Sequence, residues 1–181
     1  MPNSNVDPSD NGRIDRDLRN PFIAGVLAWL VPGLGHYYQR RYHKALLFFL
    51  CIMPTFIAGC ALASSREGGV ARNVYWSWRQ ADWRLWWLAQ APLGIAAIPS
   101  GIQAWQINSG QAPMLGKFMA PPRLEDSRDK SGVPPVRSEI RQKMPHYELA
   151  TYLTVIAGLM NLLVIFDAVE GPFVGGHKRS P

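Results

Sequence analysis

Four long runs without an Asp, Glu, Lys or Arg side chain dominate this sequence of 181 residues. They cover residues 21–39, 45–65, 85–116 and 149–166. An α-helix rises about 1.5 Å per residue, so about 20 apolar residues cross a bilayer core of about 30 Å. A soluble domain of this size rarely contains four such runs, and a buried all-α core is the alternative. The sequence therefore predicts an all-α integral membrane protein with about four transmembrane segments.

The first uncharged run contains a helix-breaking stretch. Pro21 suits a helix start, but Val31-Pro32-Gly33-Leu34-Gly35 interrupts the helix because proline lacks an amide donor and glycine relaxes the backbone. Residues 21–38 are therefore predicted to be kinked, or to dip into the bilayer and return. A late signal-peptide core is the alternative. The basic turn 39–44 leads to the second membrane helix, and residues 21–63 are predicted to form a helical hairpin.

Two further membrane helices are predicted at residues 85–105 and 148–170, the first of them bent at Pro92 and Pro99. Small residues recur at three- and four-residue steps, which places them on narrow faces that allow close helix contact. The candidate helix-packing residues are Gly25, Ala28, Gly35, Gly94, Ala97, Gly101, Gly158 and Asn161. They predict packing within the chain, or contact with a membrane-protein partner or a second copy.

An aromatic segment, residues 64–84, precedes the third predicted membrane helix. Indole rings prefer the headgroup zone, where the ring is half buried and its N–H stays hydrated. With Arg72, Arg79 and Arg84 interleaved, the segment is predicted to lie along the membrane surface. A stacking platform for nucleic acid is the alternative. The candidate interfacial residues are Trp76, Trp78, Trp83, Trp86 and Trp87.

The polar parts of the chain are predicted to be flexible. Residues 1–20 contain almost no apolar side chains, residues 106–147 form a basic, proline-rich loop, and residues 171–181 form a tail. The net charge of +6 is spread over stretches that flank the apolar runs. Positive charge in such places favours contact with anionic headgroups, so the lipid bilayer, and not nucleic acid, is the predicted partner.

No pattern in the sequence predicts a catalytic, cofactor-binding or metal-binding residue. Cys51 and Cys60 would lie about 13 Å apart on one helix, too far for a disulfide. His36 is predicted to be a neutral histidine that hydrogen-bonds carbonyl groups freed near Pro32, with a functional ionisable group as the alternative. The protein is therefore predicted to be non-enzymatic.

Two carboxylates, Asp167 and Glu170, lie three residues apart at the end of the fourth predicted membrane helix. At about 100° per residue, Asp167 lies about 180° around the helix from Gly158 and the small-residue face. The pair is therefore predicted to mark the membrane boundary. A proton site that faces the helix bundle is the alternative.

The chain resembles two groups of membrane proteins. Residues 21–63, with the break Val31-Pro32-Gly33-Leu34-Gly35-His36 followed by Arg41 and Lys44, are similar to the helical hairpin of two-transmembrane-domain proteins. Residues 21–173, with Tyr75-Trp76-Ser77-Trp78-Arg79 and the stretch 154–168, more closely resemble an uncharacterised family of bacterial four-helix membrane proteins known mainly from planctomycetes. The second resemblance implies a multi-pass protein of the bacterial inner membrane and supplies no activity.

The sequence leaves two functions open. The first is a scaffold or accessory subunit that acts through helix–helix contacts, which the small-residue faces suggest. The second is a small transporter or channel-like protein with a polar path near His36, Asn161 and Asp167. A membrane enzyme acting on lipid would need clustered polar groups at one membrane depth.

Overall fold

The computed structural model describes residues 20–65, 69–79, 82–121 and 144–170. In chain order its elements are α1 (Pro21–Leu30), α2 (Leu34–Tyr38), α3 (Tyr42–Leu62), β1 (Ser77–Arg79), β2 (Asp82–Arg84), α4 (Trp86–Gln90), a 3-10 helix (Ala91–Ala96), α5 (Ile98–Asn108) and α6 (Tyr147–Glu170). The protein is mostly helical, as the sequence predicts. The predicted N-terminal tail up to residue 19, residues 122–143 of the predicted loop and the predicted C-terminal tail lie outside the described residues.

Among the described helices, α3 and α6 are long and apolar enough to cross a membrane. They correspond to the second and fourth predicted membrane helices. The sequence predicts four such segments, but residues 21–38 and 85–105 each break into shorter helices. Proline and left-handed glycine at both breaks explain why a long uncharged run does not give one long helix.

Residues 21–38 form what we call the first half-hairpin, in which the chain runs along α1, breaks and returns along α2. The break lies where the sequence predicts it, with Val31 extended and Gly33 at φ 85°. After the break, Gly35 packs so closely on α1 that a Cβ atom would overlap the carbonyl oxygen of Ala24. The chain therefore reverses its direction within this segment.

Residues 86–108 form a second half-hairpin of the same kind. α4 continues into the 3-10 helix, where Gly94 has a left-handed φ of 58°. α5 then starts with Pro99 in its first turn, a position that needs no amide donor. The returning helix lies beside α4, since Trp87 Nε1 donates a hydrogen bond to Ser100 Oγ (2.5 Å).

α6 is the central helix, against which α3 and both half-hairpins pack. α3 is antiparallel to it, because Lys44 near the start of α3 lies beside Asp167, and Gly59 near its end lies beside Thr154. The apolar core between these helices includes Ile52 and Phe56 of α3, Leu93 of the 3-10 helix, and Ala157 and Val164 of α6. Both cysteines are free, as predicted.

The two half-hairpins approach α6 from its opposite ends. The open end of the first lies at the C-terminal end of α6, where Gln39 Nε2 donates to Ala168 O (2.7 Å) and Gly25 contacts Val169. The open end of the second lies at the N-terminal end of α6, where Arg84 contacts Tyr147. Their closed ends, or tips, therefore point towards each other along α6.

The aromatic segment contains a short β-hairpin that the sequence does not predict. β1 and β2 pair antiparallel, with Trp78 opposite Trp83. Alternating aromatic residues fit a pleated strand better than a helix, which explains the departure from the predicted all-α fold. Just before the hairpin, Asn73, Val74 and Tyr75 are buried, so this segment contributes to the protein interior.

Candidate functional site

Polar side chains follow one face of α6 along most of its length. Tyr147, Thr151, Thr154 and Asn161 are separated by steps of four, three and seven residues, which keeps them on one side of a helix. Thr154 and Asn161 are fully buried, and Thr151 is nearly so. We call these four residues the polar face of α6. Buried polar groups need hydrogen-bond partners, so their contacts define the candidate site.

Asn161 joins the tips of the two half-hairpins. Its side-chain amide donates to Ala28 O of α1 (3.1 Å) and to Pro92 O of the 3-10 helix (2.6 Å). The carbonyl group of Ala28 lacks its helical donor because the residue four positions later is Pro32, which has no N–H. Asn161 thus replaces a backbone donor that the helix break removes.

A second contact between the tips lies next to Asn161. Trp29 Nε1 donates to Ala91 O (3.2 Å). A Cβ atom on Gly94 would overlap the carbonyl oxygen of Trp29, so the two backbones touch directly. Only glycine allows this approach together with the left-handed backbone at this position.

A neutral hydrogen-bonded cluster surrounds Thr154, about 10 Å along α6 from Asn161. The Thr154 hydroxyl accepts hydrogen bonds from Gln90 Nε2 (2.7 Å) and Asn73 Nδ2 (3.1 Å). Asn73 Nδ2 also donates to Ala150 O (2.9 Å). These contacts fix the start of the second half-hairpin and the segment before the β-hairpin against α6.

Arg84 is buried at the N-terminal end of α6. Its guanidinium donates to Asn73 O (2.8 Å), Thr151 Oγ1 (3.3 Å) and the Tyr147 hydroxyl, and lies 4.4 Å from the centre of the Tyr75 ring. Among the described residues it has no carboxylate partner. Burial lowers the pKa of Arg84, but the neighbouring Tyr147 and Tyr75 raise it by more, so the net shift is upwards. The site therefore holds a permanent positive charge.

An acid–base cluster occupies the other end of α6. His36 Nε2 lies 2.5 Å from Asp167 Oδ2, and His36 is fully buried whereas the Asp167 side chain is 37% exposed. Lys44 Nζ (3.3 Å) and Arg41 (3.8 Å) contact the same carboxylate oxygen. The His36 ring packs edge-on against Phe48, with ring centroids 5.0 Å apart. One carboxylate therefore lies among three basic side chains.

Two predictions about these residues are wrong. His36 was expected to hydrogen-bond freed carbonyl groups near Pro32, but Asn161 has that role and His36 pairs with Asp167. Asp167 was expected to point away from the helix bundle. Because α6 is central and has more than one packed face, the first half-hairpin covers the side that carries Asp167. Glu170 is exposed at the helix end, as expected for a boundary residue.

A model of the Family of unknown function (DUF6677) matches residues 23–181 of the chain. The chain belongs to this family. No curated protein and no solved structure matches it. The match agrees with the predicted resemblance to an uncharacterised family, whereas the bacterial origin and the likeness to two-transmembrane-domain proteins stay predictions. Since DUF6677 has no assigned activity, function has to be inferred from the geometry of the site.

Most of the predicted helix-packing residues of this DUF6677 member make contacts within the chain. A Cβ atom on Gly25, Gly35, Gly94 or Gly158 would overlap a neighbouring element, and Gly158 would meet the carbonyl oxygen of Ala89. Ala28 and Ala97 are buried. Gly101 is packed less tightly, since a Cβ atom added there would lie 3.6 Å from the Trp87 ring, an ordinary van der Waals distance. The small faces are therefore largely occupied inside this one chain.

The predicted interfacial tryptophans divide into two groups. Trp78 and Trp86 are exposed. Trp76 and Trp87 are half-buried and stack on each other, with ring centroids 5.0 Å apart. The backbone of Trp83 lies in β2, and its side chain is outside the description. The segment thus combines surface rings with rings that hold the second half-hairpin.

Several buried oxygens of the site have no hydrogen-bond donor among the described residues. They are the side-chain carbonyl oxygens of Asn73, Gln90, Gln103 and Asn161. Such acceptors can receive hydrogen bonds from a polar solute. Asn161 belongs to the polar face of α6, and Asn73 and Gln90 donate hydrogen bonds to Thr154 of the same face. The described residues contain no cluster of three His, Cys, Asp or Glu side chains able to hold a metal ion. Sequence reasoning missed Asn73, although the spacing of polar residues on α6 indicates where its partner lies.

Proposed function

We propose that this chain is a small multi-pass membrane transport protein, in which α3 and α6 cross the bilayer and the half-hairpins enter it from opposite sides. The meeting of the two half-hairpin tips at Asn161 carries this proposal. α1 has 10 residues and is about 15 Å long, half of a bilayer core of about 30 Å. The tips then meet near the middle of the membrane.

Broken helices at mid-membrane are typical of transporters. Non-helical backbone at this depth is tolerated only where protein buries it or where it lines a cavity. Many transporters bind their substrate between the ends of such discontinuous helices. Here the buried amide of Asn161 lies between the two helix breaks, and its oxygen has no donor among the described residues. A small polar solute or ion is the substrate class that fits this position.

We interpret this packing of the half-hairpins on α6 as a closed state of a transport route that follows the polar face of α6. Gly158 lies between Asn161 and Thr154 on α6 and touches the backbone of Ala89 in the second half-hairpin. A solute that follows the polar face of α6 therefore needs a displacement of this half-hairpin. Rigid-body movement of one element against another around a central site is the usual mechanism of such carriers.

The His36–Asp167 pair supports coupling of this transport to protons. In membrane proteins, ionisable side chains that pair with one another often belong to proton relays. The pair lies at the end of α6 near the open end of the first half-hairpin, so a proton can reach it from the partly exposed carboxylate of Asp167. The charged groups that face the pair are Arg41 and Lys44.

A non-enzymatic scaffold or accessory subunit is the second candidate function. Its supporting observation is the outward face of α3, where Leu46, Leu47, Leu50 and Ile57 are exposed. This face fits either lipid or the helix of a partner protein. The small-residue faces support the scaffold less than the sequence suggested, because the chain uses most of them internally. For both candidate functions we propose a location in a bacterial inner membrane, because the chain resembles a family of bacterial four-helix membrane proteins.

Proton flux into proteoliposomes tests the transport proposal. The purified chain is reconstituted with an internal pH-sensitive dye, and a potassium diffusion potential drives proton entry. We expect flux above that of empty vesicles, and at least a tenfold loss for Asp167→Asn. Glu170→Gln is the matched control, because it removes a carboxylate three residues away that is exposed at the helix end.

Two outcomes would overturn the proposal. One is a wild-type flux no greater than that of empty vesicles, both alone and with candidate small polar solutes outside. The other is an equal loss for Asp167→Asn and Glu170→Gln, which would show a general effect of charge. Recovery of one stoichiometric membrane partner in mild detergent, together with absent flux, would favour the scaffold.

A further inference from the structure

A groove lies against the first half-hairpin, and none of the four residues of the polar face of α6 lines it. It has a volume of about 320 Å³ and is lined by Leu27, Leu34, Tyr37, Tyr38, Arg40 and Tyr42. Leu27 comes from α1, and Tyr42 from the start of α3. Leu34, Tyr37 and Tyr38 come from α2, and Arg40 from the turn between α2 and α3. The groove therefore lies where the half-hairpin turns into the first full-length helix.

The composition of the groove changes along its length. Arg40 and Tyr42 lie at one end, next to the basic turn, and Leu27 lies further along α1 towards the tip. Tyr38 packs against the apolar cluster of Ala24, Ala28 and Ala168, and the adjacent Gln39 donates to Ala168 O, so the polar end of the groove lies at the level of the C-terminal end of α6. A cationic end at the membrane boundary with an apolar end below it matches the polarity of a phospholipid.

Arg40 is held in an unusual backbone conformation that directs the turn. Its φ is 60°, in the left-handed region that residues other than glycine rarely adopt. Hydrogen bonds from Arg40 N to Tyr37 O (2.9 Å) and from Arg41 N to His36 O (2.8 Å) fix this turn. Unlike Arg41 and Lys44, Arg40 makes no ion pair with any described residue. Arg40 is thus the exposed charged residue of the groove that no described carboxylate neutralises.

The aromatic wall of the groove also suits a lipid headgroup. Tyr37 and Tyr42 are 60% and 52% exposed and form an edge-to-face pair with ring centroids 5.1 Å apart. Tyrosine rings at a membrane boundary keep the ring in the apolar region and the hydroxyl near the headgroups. Their hydroxyls can donate hydrogen bonds to phosphate oxygens, and an arginine guanidinium binds phosphate through paired N–H groups.

We infer that this groove binds one anionic phospholipid, with its phosphate at Arg40 and the tyrosine hydroxyls and the upper part of an acyl chain on Leu27 and Leu34. Charge complementarity selects the anionic headgroup, and the two leucines select a lipid over a soluble phosphate. The inference requires that the chain lies in a membrane but does not depend on transport. Its failure would leave the flux experiment unaffected.

Native mass spectrometry tests this inference on the full chain in mild detergent. The protein is incubated with equal amounts of phosphatidylglycerol and phosphatidylcholine, and the bound copies of each are counted. We expect at least a fivefold preference for one phosphatidylglycerol molecule. In Arg40→Asn this preference should fall to less than twofold. Asparagine tolerates the left-handed backbone, so the variant removes the charge and keeps the turn.

Two further variants separate a built site from general attraction. Lys117→Gln removes one exposed positive charge near Gly69, at the opposite end of the fold, and should keep the preference. The double variant Tyr37→Phe with Tyr42→Phe keeps both rings and should lose about half of the preference. Thermal unfolding in detergent verifies that each variant is folded.

Several results would overturn the inference. Equal binding of the two lipids by the wild type would exclude selection by charge. An unchanged preference in a folded Arg40→Asn variant would place the lipid elsewhere. Displacement of the lipid by millimolar glycerol 3-phosphate would show a phosphate site without an acyl-chain contact, and displacement by an acidic peptide would indicate a protein partner.

Discussion

The two half-hairpins have the same backbone design and different chemistry at their open ends. Each combines a proline with a left-handed glycine at its break, Gly33 at φ 85° and Gly94 at φ 58°. At the open end of the first, the titratable pair His36–Asp167 contacts α6. At the open end of the second, the buried cation Arg84 contacts neutral acceptors.

This difference separates a structural contact from a candidate functional one. The pKa of Arg84 is raised above its ordinary value, so its charge, and any stability it contributes, persists below that value and is lost only at extreme alkaline pH. The second open end should therefore be insensitive to pH over the working range. Of the side-chain types at the two open ends, histidine is the one that ordinarily changes its charge between pH 5 and 8, which makes the first open end the place to test for a regulated step.

The largest expected effect is the loss of Arg84. Arg84→Met retains a long side chain but removes the guanidinium. The acceptor oxygens of Asn73, Thr151 and Tyr147 then lose their donor. We expect a decrease of about 4 kcal/mol in the free energy of unfolding, since each buried group without a partner costs about 1–3 kcal/mol. The free energy of unfolding is measured by titrating the protein in mild detergent with a denaturing detergent. Glu170→Met, at an exposed residue of α6, should change stability by less than about 0.5 kcal/mol.

Sequence reasoning located Arg84 but gave it the wrong surroundings. The alternation of tryptophan and arginine predicts a segment on the surface, and the exposed rings of Trp78 and Trp86 lie there. Arg84 is instead buried, because Thr151 and Tyr147 of α6 supply acceptors from more than 60 residues away along the chain. No local pattern contains that information, since a single sequence without relatives does not show which distant residues meet.

The second prediction concerns the junction of the two tips. Asn161→Leu has a similar volume but cannot donate to Ala28 O or Pro92 O. We expect a loss of about 2 kcal/mol, because two buried carbonyl groups lose their donor while the unpartnered amide oxygen is also removed. Asn108→Leu is the matched control, since among the described residues the Asn108 amide donates only to Ala104 O in its own helix. Equal losses for the two variants would mean that Asn161 does not join the tips.

The break positions were predictable and the role of Asn161 was only partly so. Proline and glycine determine where a helix ends by local geometry, and the break at residues 31–33 follows from this rule. Periodicity placed Asn161 on a packed face of α6. It could not show that a carbonyl group left without a donor by Pro32 would be its partner, because that contact depends on how the first half-hairpin folds back.

The third prediction sharpens the contrast between the open ends. Asp167→Asn removes the carboxylate that lies among His36, Arg41 and Lys44, and should lower the free energy of unfolding by about 1 kcal/mol. Partial exposure of Asp167 keeps this loss small, because solvent screens the charges. Glu170→Gln should change stability by less than about 0.5 kcal/mol. A stability loss as large as that of Arg84→Met would make the first open end a purely structural contact.

The small-residue faces show the limit of periodicity as evidence. Gly158 and Gly101 both fit a three- and four-residue spacing, yet only Gly158 touches the backbone of a neighbouring element. Spacing identifies the face of a helix on which a residue lies. It does not give the distance to the next helix, which is set by the curvature of the half-hairpins and by the side chains around each contact.

The last prediction has the smallest expected effect and tests this distinction within the second half-hairpin. In Gly101→Ala the new methyl group would lie 3.6 Å from the Trp87 ring, an ordinary van der Waals contact. Alanine also restricts the unfolded chain and favours a helix interior more than glycine does. We therefore expect a gain of about 0.5 kcal/mol in the free energy of unfolding, measured as above. Destabilisation by more than about 1 kcal/mol would show that α5 packs as tightly at Gly101 as α6 does at Gly158, and the second half-hairpin would then have no loose face along which to move.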